Sequence, residues 1–582
     1  MPFHPGSLVG DALDHAGARA VLEKYLPGVA ASPAAVQFRD ARLGQLAAIV
    51  PQLEDTALRE EFFGALAAIP DGEAAKEYLP AVAPDPAYEG EDVPRASARL
   101  TAPGPVPRWS PVEIRIDGPS HGNPFLDVEL DSEVTNGERT LRVGGFYDGD
   151  GVWRVRFLAE AEGTWTVTMR STARSLDGLT TSVEVGAAAP GSHGPVRVDG
   201  FHFRHADGTR YRPVGTTAYA WTHQSDELQD ATLRSLETAG FNKIRMCVFP
   251  KSYLYNSDEP ADFPFPGSLA NGFDLERFDP AHFRKLERRI AQLAEIGVEA
   301  DLILFHPYDR WGFVDLGAAV DDRYLRYVVR RLAAYPNVWW AMANEYDLVW
   351  SKSEADWERL AAIVVEEDPH GHLRSIHNCR PFYDHGRDWI THVSAQRQDV
   401  YRTAEYTDSW RERWGKPVVI DEVGYEGDID HGWGNLTAEE LVRRCWEGAV
   451  RGGYVVHGET YVRDDEVLWW SKGGVLHGES PARMRFLDEV LASAPDGAID
   501  PLPSDWDVPW GGVAGEWMLA YFGFNRPSYR NLVLPTGVAW RIDVIDTWNM
   551  TLEPVPGVHR ETARIALPAR QYMAIRLTRV ET

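Results

Sequence analysis

The chain has 582 residues, too many for one hydrophobic core, so three or four domains are expected. Its net charge of −28 argues against nucleic acid and anionic membranes as partners, because a strongly acidic surface repels both, and the sequence has no run of about eighteen apolar residues that could span a bilayer. The three cysteines, Cys247, Cys379 and Cys445, are too few and scattered for a disulfide framework or a zinc pattern, and Met1–Gly6 lacks the basic and apolar regions of a secretory signal, so a cytoplasmic setting is expected.

Residues 1–95 read as helical. Apolar stripes at three- and four-residue spacing run through Leu8, Ala12 and Leu13, then Leu43, Leu46, Val50 and Leu53, then Phe62, Phe63, Leu66 and Ile69. Prolines interrupt them at Ser32-Pro33 and Ala83-Pro84-Asp85-Pro86. This segment carries no chemistry, so packing or a homo-oligomer contact is its expected role. Over residues 96–195 the period changes to two, as in Thr140–Val143, Trp153–Phe157 and Thr164–Thr168, with a hairpin signal at Asp148-Gly149-Asp150-Gly151. A β-sandwich is expected there.

Residues 196–495 alternate strands with helices. Strands are predicted at Arg212–Thr217, Asn242–Met246, Glu299–Phe305, Val338–Ala343, Arg374–His377, Ile390–Val393, Pro417–Ile420 and Tyr454–His457. A helix capped by Asp279-Pro280 and closed at Gly297 separates the second from the third. Eight such units predict a (β/α)₈ barrel. A doubly wound sheet is the alternative, but Gly215-Thr216-Thr217-Ala218 is not the Gly-rich turn of its nucleotide-binding versions. Residues 496–582 return to alternation at Ala539–Val544 and Tyr572–Leu577, a small C-terminal β-domain. The fold class is therefore α/β, a TIM barrel flanked by helical and β segments.

In such barrels chemistry sits where strands end. The fourth strand ends Ala343-Asn344-Glu345 and the seventh Ile420-Asp421-Glu422. Two glutamates facing each other across a barrel mouth suit glycoside hydrolysis, which needs one carboxylic acid to protonate the leaving oxygen and one carboxylate to attack or to activate water. Asp421 and Glu426 are the other candidates for the second role. Asp421 should point away from Glu422 if the strand persists that far.

Asn344-Glu345 after the fourth strand, with Glu422 after the seventh, resembles glycoside hydrolase clan A. The resemblance implies that Glu345 is the acid/base, that Glu422 is the nucleophile and that the anomeric configuration is retained. It further implies that Asn344 bonds the sugar's 2-hydroxyl and that Arg245 lies beside the nucleophile. Phe146–Gly151, Asp207-Gly208-Thr209 and Pro213–Tyr219 also resemble bacterial barrel glycosidases that carry a β-sandwich ahead of the barrel. Retention implies a carboxyl separation of about 5–5.5 Å. The expected substrate is a small carbohydrate, attacked from its end, with no cofactor or metal; transglycosylation would use the same residues.

His306, His377, Asn378, His457 and Glu459 lie at or near strand ends and are expected to contact sugar hydroxyls, with Tyr308 and Asp309 as further wall candidates. Trp221, Trp469 and Trp470 are candidate stacking floors. Strand-end histidines, His392 among them, also admit a rival reading as a metal-dependent barrel hydrolase, although neither His-x-His after the first strand nor His-Glu-x-x-His is present. A non-catalytic carbohydrate-binding protein on the same fold is the remaining alternative.

Overall fold

The computed structural model describes residues 3–29, 39, 41–69, 77–397, 399 and 401–580; the Ser32-Pro33 break lies outside them. Five strands, β1 (Gly215–Thr217), β2 (Lys243–Cys247), β3 (Glu299–Phe305), β4 (Val338–Ala343) and β5 (Arg374–Ser375), pair in parallel in chain order. β6 (Val393–Gln396), β7 (Val418–Glu422) and β8 (Tyr454–Val455) form a second parallel run. The runs close on each other. The His457 amide donates to the Gly215 carbonyl at 2.8 Å, the Thr217 amide to His457 at 3.0 Å, and the Thr391 amide to Arg374 at 2.9 Å. The result is a (β/α)₈ barrel.

Local signals explain the helices around it. The helix α1 (Asp226–Ala239) is capped by Ser225 and ends at Gly240, and α2 (Pro280–Glu295) has Asp279 accepting from the Ala281 amide. The helices α3 (Ala318–Leu332), α4 (Glu354–Glu367), α5 (Thr407–Trp414), α6 (Ala438–Val450) and α7 (Ser480–Ala492) follow β3, β4, β6, β7 and β8, whereas β5 passes to β6 without a helix among the described residues. One strand sits three residues later than its apolar run suggests: β6 spans Val393–Gln396 and not Ile390–Val393. Polar Ser394 belongs to it because its hydroxyl donates to Asp421 inside the barrel.

Side chains alternate along β2. Ile244 and Met246 join the large core between strands and helices, whereas Lys243, Arg245 and Cys247 point inward. At the amino-terminal end Phe203 and Tyr211, from the hairpin His202–Tyr211, fill the barrel with Trp339, Val419 and Tyr454. Above them Lys243 bonds Asp301 and Asp421.

The flanking segments grip this frame. Strands between Arg99 and Gly186 make a two-layered β structure in which Thr140–Tyr147 pairs first with Leu130–Thr135 and then with Val152–Leu158. It docks on the barrel through the buried pairs Arg331–Asp148 and Arg156–Glu287. Six antiparallel strands between Asp500 and Arg579 form the C-terminal sheet. The N-terminal helices Val9–Asp14, Ala16–Tyr25, Leu43–Ile49 and Thr56–Ala67 share their own core and rest on the loops after β3 and β4 of the same chain. Gln45 donates to the Pro307 carbonyl at 2.9 Å, and a Cβ on Gly44 would stand 2.5 Å from Trp350. This segment, expected to pack or to join subunits, is thus seated on its own barrel. No helix among the described residues is long and apolar enough to cross a membrane.

Candidate active site

Glu345 follows β4 with a left-handed backbone, φ 49° and ψ 60°, a conformation that is costly for a residue with a side chain and that clusters at functional sites. Side chains hold its carboxyl group: the Tyr308 hydroxyl donates to Oε2, Gln396 Nε2 donates to Oε1 at 2.8 Å, and Asn344 Nδ2 lies 3.3 Å from Oε2. Glu422 ends β7. The Tyr219 hydroxyl donates to its Oε1, and Arg245 Nη1 is 3.4 Å from the same oxygen. Arg245 Nη1 also donates to Asn344 Oδ1 at 2.8 Å. Asn344 therefore links the two carboxyl groups, its amide nitrogen toward Glu345 and its oxygen on the arginine that meets Glu422.

A register shift explains why two successive acidic residues both serve the barrel interior. Ala395 pairs with Ile420, but Gln396 pairs with Glu422. This bulge breaks the alternation: Asp421 stays among the inward groups, 3.1 Å from Lys243 Nζ, and Glu422 is re-aimed at the mouth. Asp421 is thus committed to an internal ion pair.

Burial raises the carboxyl pKa values on both sides. Glu422 is pushed to about 7, first by burial and then by the charge of Glu345, against Arg245 and the Tyr219 hydroxyl. Burial also raises Glu345, against the Tyr308 and Gln396 hydrogen bonds. Two buried carboxyl groups that repel each other titrate as a pair, and among the described residues the only formal charge hydrogen-bonded to either is Arg245, on Glu422. The Glu422 side chain keeps 14% of its surface exposed, so a ligand can reach it.

The description "Apiosidase-like, catalytic domain" matches residues 198–494, which contain the whole barrel. The chain belongs to the apiosidase-like family. Two further domains of unknown function match the flanks, DUF5060 over residues 105–172 and DUF5605 over residues 506–578. The apiosidase-like chain is 37% identical to a Bacteroides vulgatus ATCC 8482 protein described as a putative glycoside hydrolase, over 82% of this chain and 100% of that one, with a TM-score of 0.78. A glycoside hydrolase family 5 protein from the same organism shares the fold at 14% identity, over 66% and 94% of the two chains, with a TM-score of 0.53. No curated protein matches. By the 37% identical relative and the family match, the chain belongs with the glycoside hydrolases.

Within this apiosidase-like barrel the other sequence candidates divide. Trp470 joins Tyr219, Tyr425 and half-buried Tyr253 and Trp433 beside the carboxyl pair. Trp221 and Trp469 are core residues instead, their ring nitrogens on Met246 Sδ and Thr216 Oγ1. His306 is buried beneath the β2 loop, its Nε2 3.2 Å from the Phe249 carbonyl. Asn378 donates to the Gln396 carbonyl at 3.0 Å and so supports the residue that bonds Glu345. His377 is fully buried with neither ring nitrogen bonded among the described residues, and His392 lies edge-on to Phe203 and Trp339. Asp309 caps the β3 loop by accepting from the Trp311 and Val314 amides.

His457 and Glu459 lie apart from the carboxyl pair's hydrogen bonds. With Glu426 they are the one group among the described residues whose ligand atoms, within 4.8 Å of one another, could hold a metal ion. The fit is poor, because each Glu426 oxygen already accepts two hydrogen bonds, from Tyr461 and the Glu479 amide and from the Ser480 amide and hydroxyl. The strand-end histidines of the rival metal reading do not converge on one point.

Sequence reasoning passed over Gln396 and Lys251. Gln396 was hidden by the shifted bounds of β6. Lys251 lies in the loop after β2, and nothing in Phe249-Pro250-Lys251-Ser252 distinguishes it from a surface lysine.

Proposed function

We propose that this chain cleaves a terminal glycosidic bond with retention of configuration, Glu345 acting as acid/base and Glu422 as nucleophile. The observation that carries the proposal is the asymmetric shell of the pair: Arg245 favours the ionised form of Glu422, and among the described residues only neutral donors meet Glu345. The shared proton then rests on Glu345. Glu345 gives it to the leaving oxygen as that C–O bond breaks, and a Glu422 oxygen bonds the anomeric carbon to form a glycosyl ester. Esterification removes the charge on Glu422, so the pKa of Glu345 falls and it can take a proton from the water that attacks the ester. Asn344, fixed by Arg245, is the donor we assign to the sugar hydroxyl next to the anomeric centre. The family description names an apiosidase, so apiosyl glycosides are the first substrates to test, ahead of other pentosides and hexosides.

The test is a panel of nitrophenyl glycosides of both anomers and ring sizes, with Glu422→Ala as control. A substrate turned over by the native protein, lost in the variant and returned by azide as a glycosyl azide of inverted configuration, supports the assignment. A variant that still releases nitrophenol at the native rate sinks it.

A further inference from the structure

The mouth contains a second charge that the double displacement does not use. Lys251 is buried, 4% exposed, and its Nζ has no hydrogen bond or ion pair among the described residues. Aromatic rings surround it instead. The ammonium lies 3.5 Å from the centroid of Tyr219, 4.4 Å from Tyr308 and 4.8 Å from Trp470. Tyr219 holds Glu422 and Tyr308 holds Glu345, so the lysine stands between the two tyrosines that grip the carboxyl pair. The contrast with Lys243 is direct: that buried lysine bonds two aspartates.

Its position is built. The Lys251 carbonyl accepts from Asn256 Nδ2 at 2.6 Å, the neighbouring Ser252 amide donates to the Tyr308 carbonyl at 2.9 Å, and His306 braces Phe249 from below. Burying an ammonium without an acceptor is unfavourable, and ring faces offset that only in part. Burial accordingly draws the Lys251 pKa down to about 8. A group held at this cost beside the carboxyl pair is matched by a ligand that brings oxygen acceptors.

We propose that Lys251 is a specificity-determining residue that donates hydrogen bonds to a hydroxyl of the sugar being transferred, and that this sugar is neutral. The assignment rests on the glycosidase reading above. A neutral sugar follows from the surroundings: a carboxylate on the ligand would satisfy Lys251 but would sit beside the carboxyl pair, where the negative charge of Glu422 repels it.

Two measurements test this. Calorimetric binding of the monosaccharide to Glu422→Gln and to Glu422→Gln/Lys251→Met is expected to weaken on the order of 10²-fold when the lysine is lost, with Lys251→Arg in the same background recovering part of it. Turnover of monodeoxy substrates is expected to show one position whose removal costs the native enzyme a similar factor and the Lys251→Met enzyme almost nothing. Equal binding with and without the lysine overturns the proposal, as does a deoxy series that falls equally in both enzymes. A glycuronic acid that binds more tightly than its neutral parent overturns the choice of a neutral sugar. Sugar binding that depends on Lys251, in a protein that hydrolyses no glycoside, rejects the hydrolase mechanism and leaves this assignment standing; no binding and no turnover reject both.

Discussion

Two pairs of glutamates lie at or just after strand ends of the barrel, Glu345 with Glu422 and Glu426 with Glu459, and they are held differently. Glu345 and Glu422 are bonded by side chains: Tyr308 and Gln396 on one, Tyr219 and Arg245 on the other. Glu426 and Glu459 are bonded largely by main-chain amides, those of Glu479, Ser480, His477 and Gly478. A Cβ on Gly478 would stand 2.5 Å from Glu426 and 2.6 Å from Glu459, so only glycine lets the main chain come so close. Amides fixed in a backbone hold a carboxylate in one state; hydroxyl, amide and guanidinium groups on side chains leave it free to exchange partners with a ligand. By this criterion the first pair is suited to chemistry and the second to tying the loops after β7 and β8 together.

The two pairs differ most at Glu422. Glu422→Ala is expected to lower kcat on the order of 10⁵-fold while leaving the unfolding midpoint close to native; comparable loss from Glu426→Gln without unfolding would reverse the roles of the two pairs. Glu345→Gln is expected to cost about 10²–10⁴-fold, least with the best leaving groups, which need no proton; a loss independent of leaving group in steady-state assays would remove Glu345 from the acid role.

Stability reads the second pair. Glu426→Gln replaces an acceptor of four hydrogen bonds by an amide whose NH₂ confronts donors, and is expected to destabilise by about 2–4 kcal/mol in denaturant unfolding. Glu459, pushed by burial to about 7, binds its proton more tightly folded than unfolded. Its contribution is therefore fully present below the ordinary carboxylate range and declines as pH rises toward 7. The stability difference between native protein and Glu459→Gln should shrink by up to about 3 kcal/mol between pH 4 and pH 8; a pH-independent difference would contradict the burial argument.

The finest effect is on the pH profile. Removing the donor in Tyr219→Phe destabilises ionised Glu422, so the acid limb of kcat/KM should move to higher pH, with little change on the alkaline side. An acid limb that stays in place would show that this hydroxyl does not favour the charged form.

How much of this was legible in the sequence follows the same division. Strand ends are local signals: an apolar run closing in Asn344-Glu345, or in Asp421-Glu422, marks barrel-mouth positions, and the structure brings those two glutamates together. The bulge that re-aims Glu422 depends on pairing with Gln396, so no local pattern announces it. Aromatic and histidine positions were ambiguous for a related reason. Trp221 and Trp470 both follow strands, yet one packs on Met246 and the other faces the mouth, because loop paths decide which way a ring turns. Lys251 was illegible because its burial depends on rings from three other loops.

The seat of the N-terminal helices has an evolutionary corollary. Gly6 and Gly44 lie so close to Trp350 that a methyl group on Gly6 would meet the indole ring, and one on Gly44 the Cβ, at 2.5 Å, while Gln45 holds the carbonyl just before Tyr308. Lineages that retain the bulky Trp350 should therefore keep small residues at both glycine positions, and those that lose the helical segment should be free to replace it. Homologous barrels are expected to fall into two groups by this covariation, with the loop carrying Tyr308 differing in length between them.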